Sequence, residues 1–237
     1  MFSSISSRYD FLNHLLSLGF DRKWRENTAK SILSDGSSRV LDVCAGTLDL
    51  SIAVSSYNGF NGMVVGTDFC KEMIEIGKKK ISESNQLSAI SSQTSELKTQ
   101  NSKLIPLCAD TLHLPFKDNS FDAITSAFGI RNIQNLRNAL IEMRRVIRNG
   151  GKAVILEFYR PKNSLLFSLY LFYFRNILPS LGRIISGDKK AYSYLRDSVT
   201  AFLTQEEMKK EMELAGFKNV GYENLTFGIV TIHIGRK

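Results

Sequence analysis

Three acidic residues, each at the end of a short apolar run, are the first chemistry-bearing feature of the chain: Asp42 in "RVLDV", Asp68 in "GMVVGTD" and Asp110 in "KLIPLCAD". A turn, Ala45-Gly46-Thr47, follows the first of them and looks like half of a nucleotide-binding loop. A full dinucleotide fingerprint carries three glycines, for a tight turn, for close backbone approach to a pyrophosphate and for packing of helix on sheet. Here Leu48 stands where a further glycine belongs, which matters less if no pyrophosphate has to lie against the backbone. An acid at the second strand end suits a ribose diol, and one at the third suits the exocyclic amine of an adenine. Asp42, beside the loop, suits a cationic amino-acid group. Such a rim repels phosphates and favours a cationic nucleoside, the chemistry of S-adenosylmethionine. Taken singly, Asp68 and Asp110 also read as helix caps. Three acids in this order favour the ligand.

Those acids converge only if the chain builds an open α/β sheet, in which ligands bind beyond the carboxyl ends of the strands at a topological switch point. The pattern fits. Apolar, β-branched runs at 39–43, 62–68, 103–110, 121–128 and 152–158 alternate with helical stretches such as "LDLSIAVSS", "KEMIEIGKKKI" and "LRNALIEMRRVIR". Alternation of this kind predicts a parallel sheet with right-handed crossovers. "NGG" at 149–151 is expected to stop the helix before the fifth strand. Thr204 and Glu207 form a capping box for a last helix that closes on Gly216. "VGYENL" and "GIVTIHIG", separated by Thr226-Phe227, predict an antiparallel hairpin. Residues 82–103, rich in Ser, Gln, Asn and Thr, are expected to form a mobile surface loop. Residues 163–200 read as a helical, aromatic insertion after strand five, within one domain spanning 1–237.

Composition narrows the function classes. The 237 residues with 43% hydrophobic content suffice for one sizeable core. Cys44, Cys70 and Cys108 have neither a disulfide framework nor a zinc spacing, so reduced thiols in the cytoplasm and no metal are expected. "MFSSISSRYDF" has no long apolar run and reads as no secretory signal. The net charge of +8 is scattered over helix ends and loops, which argues against nucleic acid. Solvated faces and peripheral contact with an anionic membrane both remain open, as does a homodimer. The apolar run inside 163–185 falls short of the ~20 residues a spanning helix needs. It is core, or a wall for a lipid tail, or an interfacial helix with Arg175 and Arg183 at the headgroups.

"SRYDFLNHLLSLGFDRKWR", "VLDVCAGTLDL", "LPFKDNSFDAITSAFGIRNI", "IRNGGKAVILEFYRP", "YSYLRDSV" and "AGFKNVGYENLTFGIVTIHIG" together resemble, almost end to end, the quinone-biosynthesis C-methyltransferases. "FGIRN" and "NLTFGIV" are the most diagnostic of these. The resemblance implies a Rossmann-like class I methyltransferase fold and S-adenosylmethionine as cofactor. The implied sheet has seven strands, mostly parallel, with an antiparallel C-terminal hairpin. The acceptor it implies is a polyprenylated hydroquinone: demethylmenaquinol, favoured here by the "DVC-x-GT" form of the loop, or a methoxy-polyprenylbenzoquinol. Cofactor-binding positions implied are Asp42, Ala45, Gly46, Thr47, Asp68 with Phe69, Asp110 with Thr111, and Ala127, the last replacing a serine that often makes a contact. Arg131 and Asn132 match the "FG-x-RN" motif beside the methyl-transfer site. Tyr9 and Asp10 would belong to an N-terminal helical lid over 1–35, against a plainer reading as a helix start. Asn224 and Thr226 line the acceptor pocket or simply shape the hairpin turn.

The chemistry assigns roles. Deprotonating one hydroxyl of a hydroquinone turns the neighbouring ring carbon into a nucleophile. Arg131 is a poor base, since a guanidinium stays charged, so the role expected of it is to stabilise the developing phenolate while water carries the proton. His14, His113 and His233 are the only histidines and, each standing alone, are expected to be structural. Nucleic-acid methyltransferases of this fold carry an Asn/Asp-Pro-Pro-aromatic motif after strand four, and "SAFGIRN" lacks it.

Overall fold

Val40, Leu41, Val43, Ile124, Val154, Ile155 and Leu156 are all fully buried, which requires strands covered on both faces. The computed structural model, which describes residues 17, 19–91, 102–161 and 197–237, supplies that arrangement. Its sheet runs β1 (Arg39–Val43), β2 (Met63–Asp68), β3 (Lys103–Cys108), β4 (Phe121–Ala127), β5 (Ile147–Phe158), β6 (Lys218–Leu225) and β7 (Val230–Arg236). The spatial order is β3-β2-β1-β4-β5-β7-β6. Strands β1 to β5 pair in parallel, whereas β7 pairs antiparallel with both β5 and β6. The order reverses between β1 and β4, so the loops after these two strands diverge and leave the crevice in which α/β proteins bind ligands.

Helices α1 (Phe20–Leu33) and α2 (Asp49–Ser55) cover one face, where Trp24, Ile32, Leu50 and Val54 pack on Val40, Val64, Val154 and Leu156. Helices α4 (Leu136–Val146) and α5 (Gln205–Leu214) cover the other through Leu140, Met143, Met208 and Met212. The α5 start is the capping box expected: the Glu207 N–H donates to Thr204 Oγ1 while the Thr204 N–H donates to Glu207 Oε2. Helix α3 (Lys71–Ser91) completes the crossover to β3.

Two expectations are corrected. Residues 82–91 are not loop: α3 continues to Ser91, because an amphipathic helix already nucleated propagates cheaply through polar residues that tolerate helix. The rest of that segment to residue 101 lies outside the described residues. The "NGG" stop is also misplaced. Helix α4 ends at Val146 and β5 begins at once, with Asn149-Gly150-Gly151 forming a bulge. Phe121 pairs with Ile147 and Ala123 with Lys152, so a two-residue step on β4 opposes a five-residue step on β5. The glycines are needed there: Gly150 has φ 79°, and a Cβ on Gly151 would come 2.5 Å from the Asp122 carbonyl oxygen.

Candidate active site

The loop after β1 turns through three left-handed residues, Cys44 (φ 52°), Gly46 (φ 54°) and Leu48 (φ 69°). Only one is glycine, and a bulky residue in this region costs on the order of 1–3 kcal/mol. The offset is burial. Leu48 is fully buried, and its side chain fills the space left by two missing side chains. A Cβ on Gly66 of β2 would stand 2.5 Å from Leu48 Cδ2, and one on Gly77 of α3 would stand 2.5 Å from Leu48 Cδ1. Leu48 thus replaces a loop glycine by moving the requirement for small residues to the elements beneath it. The Ala45 N–H donates to the Thr67 carbonyl (2.9 Å), and the Gly46 N–H donates to Asp68 Oδ2 (2.8 Å), locking the loop to the end of β2.

Asp68 and Asp110 stand at the ends of β2 and β3 as expected. Each also makes the plainer contact: Asp68 Oδ1 accepts from the Cys70 N–H (2.8 Å) and Asp110 Oδ1 from the Leu112 N–H (2.9 Å). A carboxylate has about four lone-pair positions, so the turn contacts leave capacity for a ligand. Desolvation raises the Asp68 carboxyl above its ordinary value despite the two backbone donors. Together Asp68, Phe69, Asp110, Thr111, Cys44, Gly46, Phe128, Gly129 and Asn132 line a cavity of about 480 Å³. Phe69 is 79% exposed at its rim, free to cover a planar ring.

Asp42 is fully buried; its Oδ2 accepts from the Ser51 hydroxyl (2.6 Å), whereas Oδ1 has no hydrogen-bond partner among the described residues. Burial pushes this carboxyl up to about 7, against the pull of the Ser51 bond and with the charge of Asp68 acting in the same upward direction. Asp42, Ala45, Gly46, Thr47 and Ala127 line a second, narrow cavity next to the first, joined there by Arg25 and Asp49. An orphaned, buried carboxylate oxygen facing a cavity fits a ligand ammonium, as the α-amino group of S-adenosylmethionine would provide.

Arg131 and Asn132 lie in a short 3-10 turn, Ile130–Asn132, packed tightly on the β1 loop: a Cβ on Gly129 would come 2.4 Å from Cys44 Cβ. Asn132 lines the larger cavity. The Arg131 guanidinium is 6% exposed and donates to Glu157 Oε1 (2.7 Å) and to the Phe128 carbonyl, with Phe158 beneath it at 5.8 Å. Glu157 is the buried partner of Arg131, and its signal in the sequence is an acid within the apolar "AVILEF" strand. Arg25, Asp49 and Lys80 carry no signal of this kind. The Asp21–Arg25 spacing on a helix is visible in sequence, but their meeting with the β1 loop is tertiary.

Asn224 and Thr226 do not line the larger cavity. Asn224 Oδ1 accepts from the Thr231 hydroxyl (2.9 Å), and Thr226 Oγ1 accepts from the Trp24 indole N–H (2.9 Å). Asn224 ties β6 to β7 and Thr226 holds the hairpin tip against α1, and the turn is a 3-10 segment, Thr226–Gly228. His233 is buried between the Tyr159 hydroxyl (3.3 Å) and the Gln205 carbonyl (2.9 Å), with burial pushing its pKa down to about 4. Tyr9, Asp10 and His14, and nearly all of the 163–200 insertion, lie outside the described residues.

The model of the ubiE/COQ5 methyltransferase family matches residues 1–237. The chain belongs to that family. This methyltransferase is 43% identical over 237 residues to the ubiquinone/menaquinone biosynthesis C-methyltransferase UbiE of Geotalea uraniireducens, covering all of this chain and 94% of the relative. It is 40% identical over 235 residues to the demethylmenaquinone methyltransferase of Thermus thermophilus, covering 99% of both chains. Among solved structures, a SAM-dependent methyltransferase of Thermotoga maritima superposes with a TM-score of 0.64 at 17% identity, over 100% of this chain and 97% of that one. The [4+2]-cyclase SpnF superposes nearly as well, with a TM-score of 0.63 at 17% identity over 91% of this chain and 81% of its own. The fold is therefore that of class I methyltransferases, and because a cyclase shares it, the reaction has to be argued from the site. Among the described residues, no helix of the methyltransferase is long and apolar enough to cross a membrane.

Proposed function

We propose that this methyltransferase uses S-adenosylmethionine to methylate a ring carbon of a polyprenylated hydroquinone, with demethylmenaquinol as the leading acceptor. The observation that carries the reading is the cavity of about 480 Å³ in which two strand-end acids, Asp68 and Asp110, meet Asn132 of the "FGIRN" turn. Asp68 would hold the ribose diol, Asp110 and Thr111 the adenine edge, and Phe69 its face. Asp42, Gly46, Thr47 and Ala127 would surround the amino-acid end. When bound, S-adenosylmethionine supplies an electrophilic methyl group, so the protein's task is mainly alignment, worth up to about 7–11 kcal/mol in the best intramolecular cases.

Arg131 and Asn132 act together in this reading. Glu157 and the Phe128 carbonyl fix the Arg131 guanidinium behind the turn, and the turn carries Asn132 to the cavity wall. The Arg131 charge favours an anionic oxygen on the acceptor ring, and the ring hydroxyl passes its proton to water. Turnover close to wild type in Arg131→Lys would remove Arg131 from this role. Tyr9 and Asp10 complete the proposal as part of a lid. Because the acceptor is lipid-soluble and the chain carries a net charge of +8, the reaction is proposed at the cytoplasmic face of an anionic membrane. Indifference to anionic liposomes at low salt would remove the membrane part.

The test is a product-mass assay with S-adenosylmethionine and two chemically reduced acceptors in detergent, demethylmenaquinol and a methoxy-polyprenylbenzoquinol. One added methyl on the naphthoquinol is expected. Methylation of the benzoquinol alone would exchange the acceptor, and methylation of neither, with donor binding confirmed, would sink the acceptor class.

A further inference from the structure

Phe227, inside the "NLTFGIV" stretch, is unusual on two counts: its φ is 59°, in the left-handed region, and its side chain is 79% exposed. A glycine would take that conformation freely and a polar residue would be better solvated, so the turn itself does not call for a phenylalanine. A second aromatic, Phe20, is 50% exposed at the start of α1. The two flank Trp24, which stacks on Phe20 at 6.3 Å and donates its indole N–H to Thr226 Oγ1, next to Phe227. Inward, Trp24 meets Phe128 and Phe158 edge-on at 6.1 and 5.9 Å; Phe128 lines both cavities, and Phe158 lies beneath Arg131. The exposed pair is therefore the outer end of an aromatic column whose inner end adjoins the "FGIRN" turn. Arg22 and Lys23 are exposed in the same first turn of α1, whereas the acid of that turn, Asp21, is buried against Arg25.

We propose that the hairpin tip and the start of α1 form the face by which the enzyme docks on a lipid bilayer, Phe20 and Phe227 entering the interface and Arg22 and Lys23 pairing with anionic headgroups. Aromatic rings beside cations are the side chains a bilayer interface holds best, and two rings are too small a surface for a stable protein interface. The inference rests on the membrane reading above and deepens it: net charge attracts without orienting, whereas a named apolar face sets one orientation. The tip stands beside the end of β5, where Val230 pairs with Phe158. In the sheet order it lies on one side of β4, and the donor cavity beyond β1, β2 and β3 lies on the other. The donor then enters from water while the lipid-soluble acceptor enters from the bilayer, and the two meet at the Ile130–Asn132 turn after β4.

Flotation of the full chain with phosphatidylglycerol–phosphatidylcholine vesicles, with and without brominated acyl chains, tests the anchor. Trp24 is the only tryptophan of the chain, so quenching by bromine reads whether this face enters the lipid. Wild-type protein is expected to float with the vesicles and to be quenched. Combining Phe20→Ser with Phe227→Gly, where glycine accepts the left-handed conformation, should lower vesicle affinity about tenfold or more and abolish the quenching. Calorimetric affinity of the same variant for S-adenosylhomocysteine should stay within about twofold of wild type, since neither side chain lines the donor cavity. Flotation of wild type without quenching, or a double variant that floats as well as wild type, would overturn the anchor and leave attraction by net charge standing. A parallel loss of S-adenosylhomocysteine affinity would also overturn it, by showing a packing role. If wild-type protein did not float at all, the membrane reading would fail together with the anchor, while ring methylation in detergent, measured separately, would be untouched.

Discussion

Replacing Asp42 by asparagine tests the electrostatics of the site through stability alone. The carboxyl is fully buried and its pKa is pushed from 3.8 to about 7, chiefly by desolvation. Below pH 3.8 the acid is neutral whether the chain is folded or unfolded. As pH rises from there to about 7, the unfolded chain gives up the proton while the folded one keeps it, so stability present at low pH is lost across that window and the loss then levels off. At 1.36 kcal/mol per pH unit, the full cost is roughly 4 kcal/mol, an upper bound because the site relaxes. Asparagine keeps an oxygen for the Ser51 hydroxyl and does not titrate. The stability of Asp42→Asn relative to wild type should therefore grow by roughly 2 kcal/mol between pH 5 and pH 7, or about 4–8 °C in Tm at this chain length. Parallel thermal melts of the two proteins from pH 4.5 to 8.5, without ligand, read the gap directly. Titrating groups that do not interact with Asp42 cancel in the difference, and Asp68, whose charge acts on it, adds to the gap in the same direction. A gap that stays constant with pH would refute the argument, because Asp42 would then titrate as it does in an unfolded chain. Adding S-adenosylmethionine at pH 8 should narrow the gap, since the ligand ammonium gives the charged carboxylate the partner it lacks.

Three further substitutions follow from the same geometry. Gly129→Ala places a methyl 2.4 Å from Cys44 Cβ, so it should part the β4 turn from the β1 loop and weaken S-adenosylhomocysteine binding in calorimetry; wild-type affinity would contradict that packing. Leu48→Gly sets a relief of about 1–3 kcal/mol of left-handed strain against a loss of about 2–5 kcal/mol for emptying a buried leucine site. Net destabilisation of about 1–2 kcal/mol is expected in urea unfolding, and a stabilised variant would show that Gly66 and Gly77 do not depend on Leu48. Glu157→Gln leaves the buried Arg131 charge without its counterion, a change that costs about 3–5 kcal/mol when one member of such a pair is removed. Loss of stability should come with a fall in kcat larger than any change in KM for the donor, and unchanged kcat would separate Glu157 from the positioning of the "FGIRN" turn.

Much of the architecture is legible before folding. Five parallel strands are visible because buried strands need unbroken apolar runs, and the hairpin shows because a short Thr-Phe-Gly turn splits two β-rich stretches. Asp68 and Asp110 are recognisable because the carboxyl ends of strands in this architecture face one crevice. The two errors have local causes. Residues 82–91 are compositionally poor in the apolar positions that signal a helix, yet they continue one already begun, and the glycines at 150 and 151 punctuate a bulge rather than a helix end. The first is helix propagation outlasting a weak apolar signal, and the second is strand pairing with β4 overriding a helix-stop preference.

The fold class, the rim of acids and the family resemblance are written in the order and type of residues along the chain. Which atoms of those residues are engaged depends on how the chain folds around them. Arg131 turns to Glu157, 26 positions away, and Arg25 reaches Asp49 across two helices. Asp42 surrenders one oxygen to Ser51 and leaves the other unpaired. A charged side chain's role depends on what desolvates it and what stands within about 3 Å, and those neighbours come from distant segments that meet only when the sheet closes its core.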